Sequence, residues 1–101
     1  MGEEYLIIEM CLNYVPSLRL KGFRAIDRME QVSGRTAKYW VRISPGDPLM
    51  YTVNISSGLA MSPAGPGNPE RHPLGFLDVP GEPSSAVWYW SEQDGQVVPN
   101  P

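Results

Sequence analysis

The chain has little of what enzymes and metal proteins are built from. It holds one cysteine, Cys11, and one histidine, His72. A lone cysteine excludes an internal disulfide and fits a reducing compartment better than a secreted, disulfide-held scaffold. One Cys and one His cannot supply the roughly four N and S ligands of a zinc site. Glu70, His72 and Asp78 are close in sequence, but such residues are ordinarily solvated loop side chains, and no calcium-loop pattern is present. No metal and no cofactor is therefore expected. Cys11 and His72 are the one pair that could form a nucleophile and its base, and nothing in the sequence brings them together. Cys11 sits inside an apolar stretch, where a thiol acts as a small hydrophobe. The serines lack a nucleophile-elbow pattern. In Gly65-Pro66-Gly67 the proline removes an amide that a phosphate cradle needs, and no Lys-Ser or Lys-Thr follows. No catalytic residue is identified, and the expectation is that the chain is not an enzyme.

Long apolar runs are also lacking. Tyr5 to Leu12 is too short to span a bilayer and contains Glu9. The opening Met-Gly-Glu-Glu is acidic where a secretory leader would be basic. Asn54-Ile55-Ser56 matches a glycosylation sequon, but nothing else points to secretion. These features predict a soluble, cytoplasmic chain with no membrane partner.

What is present begins with size and charge. The 101 residues suit a single domain spanning 1–101 with a modest core. Ten glycines and eleven prolines imply many turns. Seven of the eight basic residues lie between Arg19 and Arg42, where only Asp27 and Glu30 oppose them, giving that segment a net charge of +5. The remainder carries −8, so a chain of net −3 can still present a basic surface.

Hydrophobic spacing predicts the elements. Tyr5 to Tyr14 alternates as a strand, with Leu6, Ile8, Met10, Leu12 and Tyr14 on one side and Tyr5, Ile7, Glu9, Cys11 and Asn13 on the other. Gly22 to Ser33 fits a helix better: Ala25, Ile26, Met29 and Val32 form one arc, with Phe23 at its edge, opposite Arg24, Asp27, Arg28 and Gln31. Gly34 stands where such a helix would stop. Ala37 to Ser44 is a strand, Pro45-Gly46-Asp47-Pro48 a turn, and Met50 to Ser56 a returning strand, together forming a hairpin. Residues 62–83 hold six prolines and four glycines and read as an irregular segment, with Leu74, Phe76, Leu77 and Val79 expected to pack onto the domain. Ala86 to Ser91 is a further strand. Gln93 to Gly95 can turn it, so that Val97 and Val98 pair back. The predicted class is α+β: one small domain with a mainly antiparallel sheet, one packed helix, and the long Pro/Gly-rich segment. The alternative, if Gly22 to Ser33 is a strand, is an all-β barrel or sandwich.

One face of the Ala37–Ser44 strand stands out. Lys38, Trp40 and Arg42 share it, while Tyr39, Val41 and Ile43 form the core side. A ring between two cations can stack on a base, hold an anion, or seat against an acidic patch of another protein. Equally, Trp40 can be covered by the proline-rich segment, leaving Lys38 and Arg42 as solvated rims. Trp88 and Trp90 form a second same-face pair, expected toward the core because such rings bury large areas. The leading expectation is a non-enzymatic protein-binding module, an adaptor, inhibitor or subunit, contacting another protein through Lys38, Trp40, Arg42, Arg24, Arg28 and Arg35. A second reading is a nucleic-acid-binding domain that uses the basic 19–42 segment. A third is a small-ligand binder or enzyme with a pocket under 62–83 and His72 as its working group. On the predicted α+β frame, Arg24 and Arg28 would sit on the helix, away from Lys38 and Arg42.

Overall fold

Every described element is a strand, which overturns the predicted α+β class and leaves the all-β alternative. The computed structural model describes residues 2–13, 15–67 and 69–96, with the backbone alone at 95 and 96. Within them run β1 (Glu4–Cys11), β2 (Ser17–Lys21), β3 (Phe23–Ser33), β4 (Thr36–Ile43), β5 (Leu49–Gly58), β6 (His72–Leu77) and β7 (Ser85–Gln96). They form a three-stranded sheet, β1-β4-β3, and a four-stranded sheet, β2-β5-β7-β6, antiparallel throughout.

The predicted helix is β3, and its bulges explain the helical spacing. Register shifts against β4 fall between Phe23 and Ala25, Ile26 and Arg28, and Gln31 and Ser33. Each shift sets two residues of β3 against one of β4. The inward side chains therefore recur at Phe23, Ile26 and Met29, every third residue, instead of every second. Gly34 caps no helix. At φ 56° it makes the tight turn between β3 and β4.

The predicted β4–β5 hairpin is also corrected. β4 pairs with β1 and β3, whereas β5 pairs with β2 and β7, so the chain changes sheets between them. It does so beside Gly22, where β2 passes into β3. Gly22 N–H donates to the Leu49 carbonyl at 2.8 Å, and Ser44 N–H donates to the Gly22 carbonyl at 2.7 Å. Residues 17–33 and 36–58 thus form one long ribbon bent at a shared corner, an arrangement known from sheets whose strands cross over at bends. Gly22 has φ 70°, and a Cβ there would collide with the Ser44 carbonyl oxygen, so the corner requires glycine. Asp47 braces it by accepting from Leu49 N–H at 2.9 Å and from Arg24 Nη1 at 2.7 Å. The N–H bond and the guanidinium hold its carboxyl below the usual carboxylate range.

The core lies between the sheets. Tyr39 and Val41 of β4 meet Val53 and Ile55 of β5, with Phe23, Ile26, Leu77, Val87 and Tyr89 around them. Phe23 packs edge-on to Tyr89, ring centres 6.0 Å apart, and beside Tyr51 at 6.3 Å. The Tyr39 hydroxyl is buried without a partner among the described residues, and burial pushes its pKa up to about 12.

Other expectations meet mixed outcomes. β6 occupies part of the irregular 62–83 segment and buries Leu77 completely, but Phe76, also expected to pack, is 65% exposed. β7 continues through Gln93 to Gln96, so the predicted turn at Gln93 to Gly95 is absent. Tyr14, Val97 and Val98 lie outside the described residues. Trp88 and Trp90 do not face the inter-sheet core; their neighbours Val87 and Tyr89 do. Trp88 is nevertheless only 4% exposed. β7 lies between β5 and β6, and at the end of β5 a Cβ on Gly58 would meet the Trp88 ring at 3.4 Å. Arg71, just before β6, stacks over Trp90 at 4.2 Å. Among the described residues no helix is long and apolar enough to cross a membrane.

Candidate interaction face

The three-stranded sheet has one side against the core and the other toward solvent. Strand alternation decides which residues reach solvent. Tyr39 and Val41 are fully buried, so Lys38, Trp40 and Arg42 point outward, as their spacing predicted. The register of β1 sets Glu9 beside Lys38, Ile7 beside Trp40 and Tyr5 beside Arg42. From the other side, β3 sets Glu30 beside Lys38 and Arg28 beside Trp40. Arg28 follows a bulge, and its guanidinium lies 4.5 Å from the centre of the Trp40 ring. Such a stack contributes about 0.5–1 kcal/mol at an exposed site.

Ion pairs organise one end of the face. Arg42 donates from Nε to Asp27 at 2.8 Å and from Nη1 to Glu3 at 2.9 Å. Tyr5 reaches across Arg42 and donates its hydroxyl to Asp27 at 2.7 Å. Arg42 and Tyr5 both stabilise the Asp27 carboxylate, and its pKa falls below the ordinary value. The same bond to Asp27 raises the Tyr5 pKa and, with Glu3, raises that of Arg42. Arg28 pairs with Glu30 at 2.8 Å. Lys38 stands between Glu9 and Glu30 in the register and makes no ion pair within 4.0 Å among the described residues. The centre is apolar: Ile7 is 60% exposed and Tyr5 55%, next to half-buried Trp40.

The six basic and aromatic candidates separate in space. Arg28, Lys38, Trp40 and Arg42 share the face, because Arg28 is on a neighbouring strand and not on a separate helix layer. Arg24 lies at the bend, paired with Asp47 at 2.7 Å and with Glu3 at 3.6 Å. Arg35 sits in the β3–β4 turn, half-buried, donating to the Leu12 carbonyl at 3.0 Å and to Ser57 Oγ at 2.6 Å. Those bonds tie the β3–β4 turn to the end of β1 and to β5. Sequence reasoning omitted Tyr5, Ile7, Glu9, Asp27 and Glu30 from the face. The alternation of β1 did group Tyr5, Ile7 and Glu9; what it lacked was the pairing of β1 with β4.

Elsewhere the chemistry is sparse. His72 stacks on Tyr89 with ring centres 5.0 Å apart and approaches Glu70 at 3.8 Å. Asp78 accepts instead from Ser84 Oγ, and no group of three His, Cys, Asp or Glu among the described residues is placed to hold a metal ion. Cys11 lies on the outward row of β1 opposite Thr36, in the other sheet from His72. No family model, curated protein or solved structure matches this chain.

Proposed function

We propose that the chain is a non-enzymatic protein-binding module that docks a partner on the open face around Trp40. One observation carries the reading: Trp40, Ile7 and Tyr5 form an apolar centre on a sheet face that no described segment covers, within a ring of charges of both signs. Aromatic centres with charged rims are the anatomy of protein interfaces. Because Glu3, Glu9, Asp27 and Glu30 share the face with Arg28, Lys38 and Arg42, the partner surface is of mixed charge. Those carboxylates count against nucleic acid, since Arg28 and Arg42 already have anionic partners that a phosphate would have to displace.

The test is capture of a partner from the native source with the wild-type chain, followed by titration of that purified partner. Trp40→Ala is expected to weaken binding by about 2 kcal/mol or more, roughly thirtyfold. Equal affinity for wild type and variant would remove the face from the account. Tight, strongly salt-dependent binding of oligonucleotides would replace it with the nucleic-acid reading.

A further inference from the structure

Among the described residues, two sheets that do not close into a barrel leave four edge strands: β1 and β3 on one sheet, β2 and β6 on the other. An edge exposes unpaired amides and carbonyls that invite another strand, and folded proteins usually blunt it with bulges, prolines, charges or short length. Three of these edges are blunted. β3 carries three register shifts, and its Gln31 side chain exchanges bonds with the Asp78 backbone, donating to its carbonyl at 2.8 Å and accepting from its N–H at 3.3 Å. β6 contains Pro73, which has no N–H, and a bulge at Gly75 with φ 141°. β2 is five residues long with Arg19 and Lys21 exposed. β1 carries only the charges of Glu4 and Glu9 and none of the other devices. Its eight residues pair with β4 without a register shift, contain no Pro or Gly, and expose Tyr5, Leu6 and Ile7 at 55%, 37% and 60%.

The backbone phase shows what the edge offers. Leu12 N–H donates to the Arg35 carbonyl at 2.9 Å, in register with the β1–β4 ladder. Antiparallel bonding alternates, so Met10, Ile8 and Leu6 also bond toward β4, while the amides and carbonyls of Glu9, Ile7 and Tyr5 face outward.

We propose that this edge is completed by β1 of a second copy of the chain, antiparallel, with Ile7 facing its own counterpart across a two-fold axis. The sequence of β1 is complementary to itself in that register. Tyr5 then opposes Glu9, Leu6 opposes Ile8, and no carboxylate faces another. Parallel pairing would set Glu4 on Glu4 and Glu9 on Glu9, which is unfavourable. Antiparallel pairing joins the two three-stranded sheets into one of six strands, with both Trp40 faces on the same side. The inference is separate from the proposed function: it concerns the outward backbone of β1, and although Tyr5 and Ile7 also border the Trp40 face, Trp40 itself takes no part.

Analytical ultracentrifugation of the wild-type chain over the micromolar range tests it, with amide exchange followed by NMR. The mass is expected to rise from 11.2 kDa toward twice that value with concentration. Protection is expected to rise with it at the amides of Tyr5, Ile7 and Glu9, and to stay unchanged at Leu6 and Ile8. Ile7→Lys, at an exposed position, is expected to keep the strand-rich circular dichroism spectrum and weaken association at least tenfold. Trp40→Ala is expected to associate like wild type. A chain that stays monomeric throughout overturns the proposal. So does association that Ile7→Lys leaves intact, or concentration-dependent protection that appears elsewhere than on the outward amides of β1.

Discussion

The two outer faces of the molecule carry the same pair of groups in different surroundings. On the four-stranded sheet, Arg71 stacks on Trp90 at 4.2 Å, and Trp88 beside it is 4% exposed, with Gly58 close to its ring. On the three-stranded sheet, Arg28 stacks on Trp40 at 4.5 Å, and exposed Ile7 and Tyr5 lie alongside with no described segment above them. On the first face, Gly58 and Arg71, at the two ends of the β5–β6 connection, lie against the tryptophans. The second has the ring, the cation and the apolar neighbours without the cover. Tryptophan beside arginine therefore does not by itself mark a binding site; what distinguishes the faces is how far the neighbouring apolar groups are buried.

The contrast gives its strongest test in the tryptophans. Trp88→Ala is expected to cost about 3–5 kcal/mol of stability in urea unfolding, the range for emptying a buried aromatic site. Trp40→Ala is expected to cost only about 1 kcal/mol. Equal losses would erase the distinction between a covered and an open face. The corner that holds the two sheets together comes next. Gly22→Ala adds a Cβ against the Ser44 carbonyl in a left-handed conformation and is expected to cost about 2–4 kcal/mol by the same measurement. Gly34→Ala, where a Cβ would meet nothing within 4 Å, carries the backbone term alone, about 1–2 kcal/mol.

The smallest effect belongs to the open face. Asp27 has its folded-state pKa lowered by Arg42 and Tyr5, so its contribution is present above the ordinary carboxylate pKa. That contribution is lost as pH falls through the lowered folded value. In thermal melts, Asp27→Asn is thus expected to lose less stability on acidification than wild type. An unchanged acid limb would mean that this ion-pair cluster is solvated in solution.

Part of the candidate face was legible in the sequence, and much of the fold was not. The alternation of β4 placed Lys38, Trp40 and Arg42 on one side because β4 is central, regular and half-buried, the case in which a period of two is strongest. β3 was misread because bulges gave its buried residues a spacing near that of a helix turn. The segment Pro45 to Pro48 has turn chemistry, but the same residues serve a sheet-to-sheet corner, and only pairing between distant strands separates the two. That pairing also brought Ile7 and Arg28 to Trp40, contacts that no local pattern encodes.

The bent ribbon has a consequence for how tolerant the chain is to insertion. A strand displaced by one residue exchanges its two faces. In β4 that exchange would put Trp40 among the core residues and Tyr39 in solvent. The ladder cannot slide freely, because Gly22 bonds both Ser44 and Leu49 and so pins each arm of the ribbon at one point. Pro45 and Gly46, exposed between those anchors, are the place where added length can be absorbed. Gly22 thus works as an origin of coordinates: it touches neither Trp40 nor Tyr39, yet it sets which of them faces solvent.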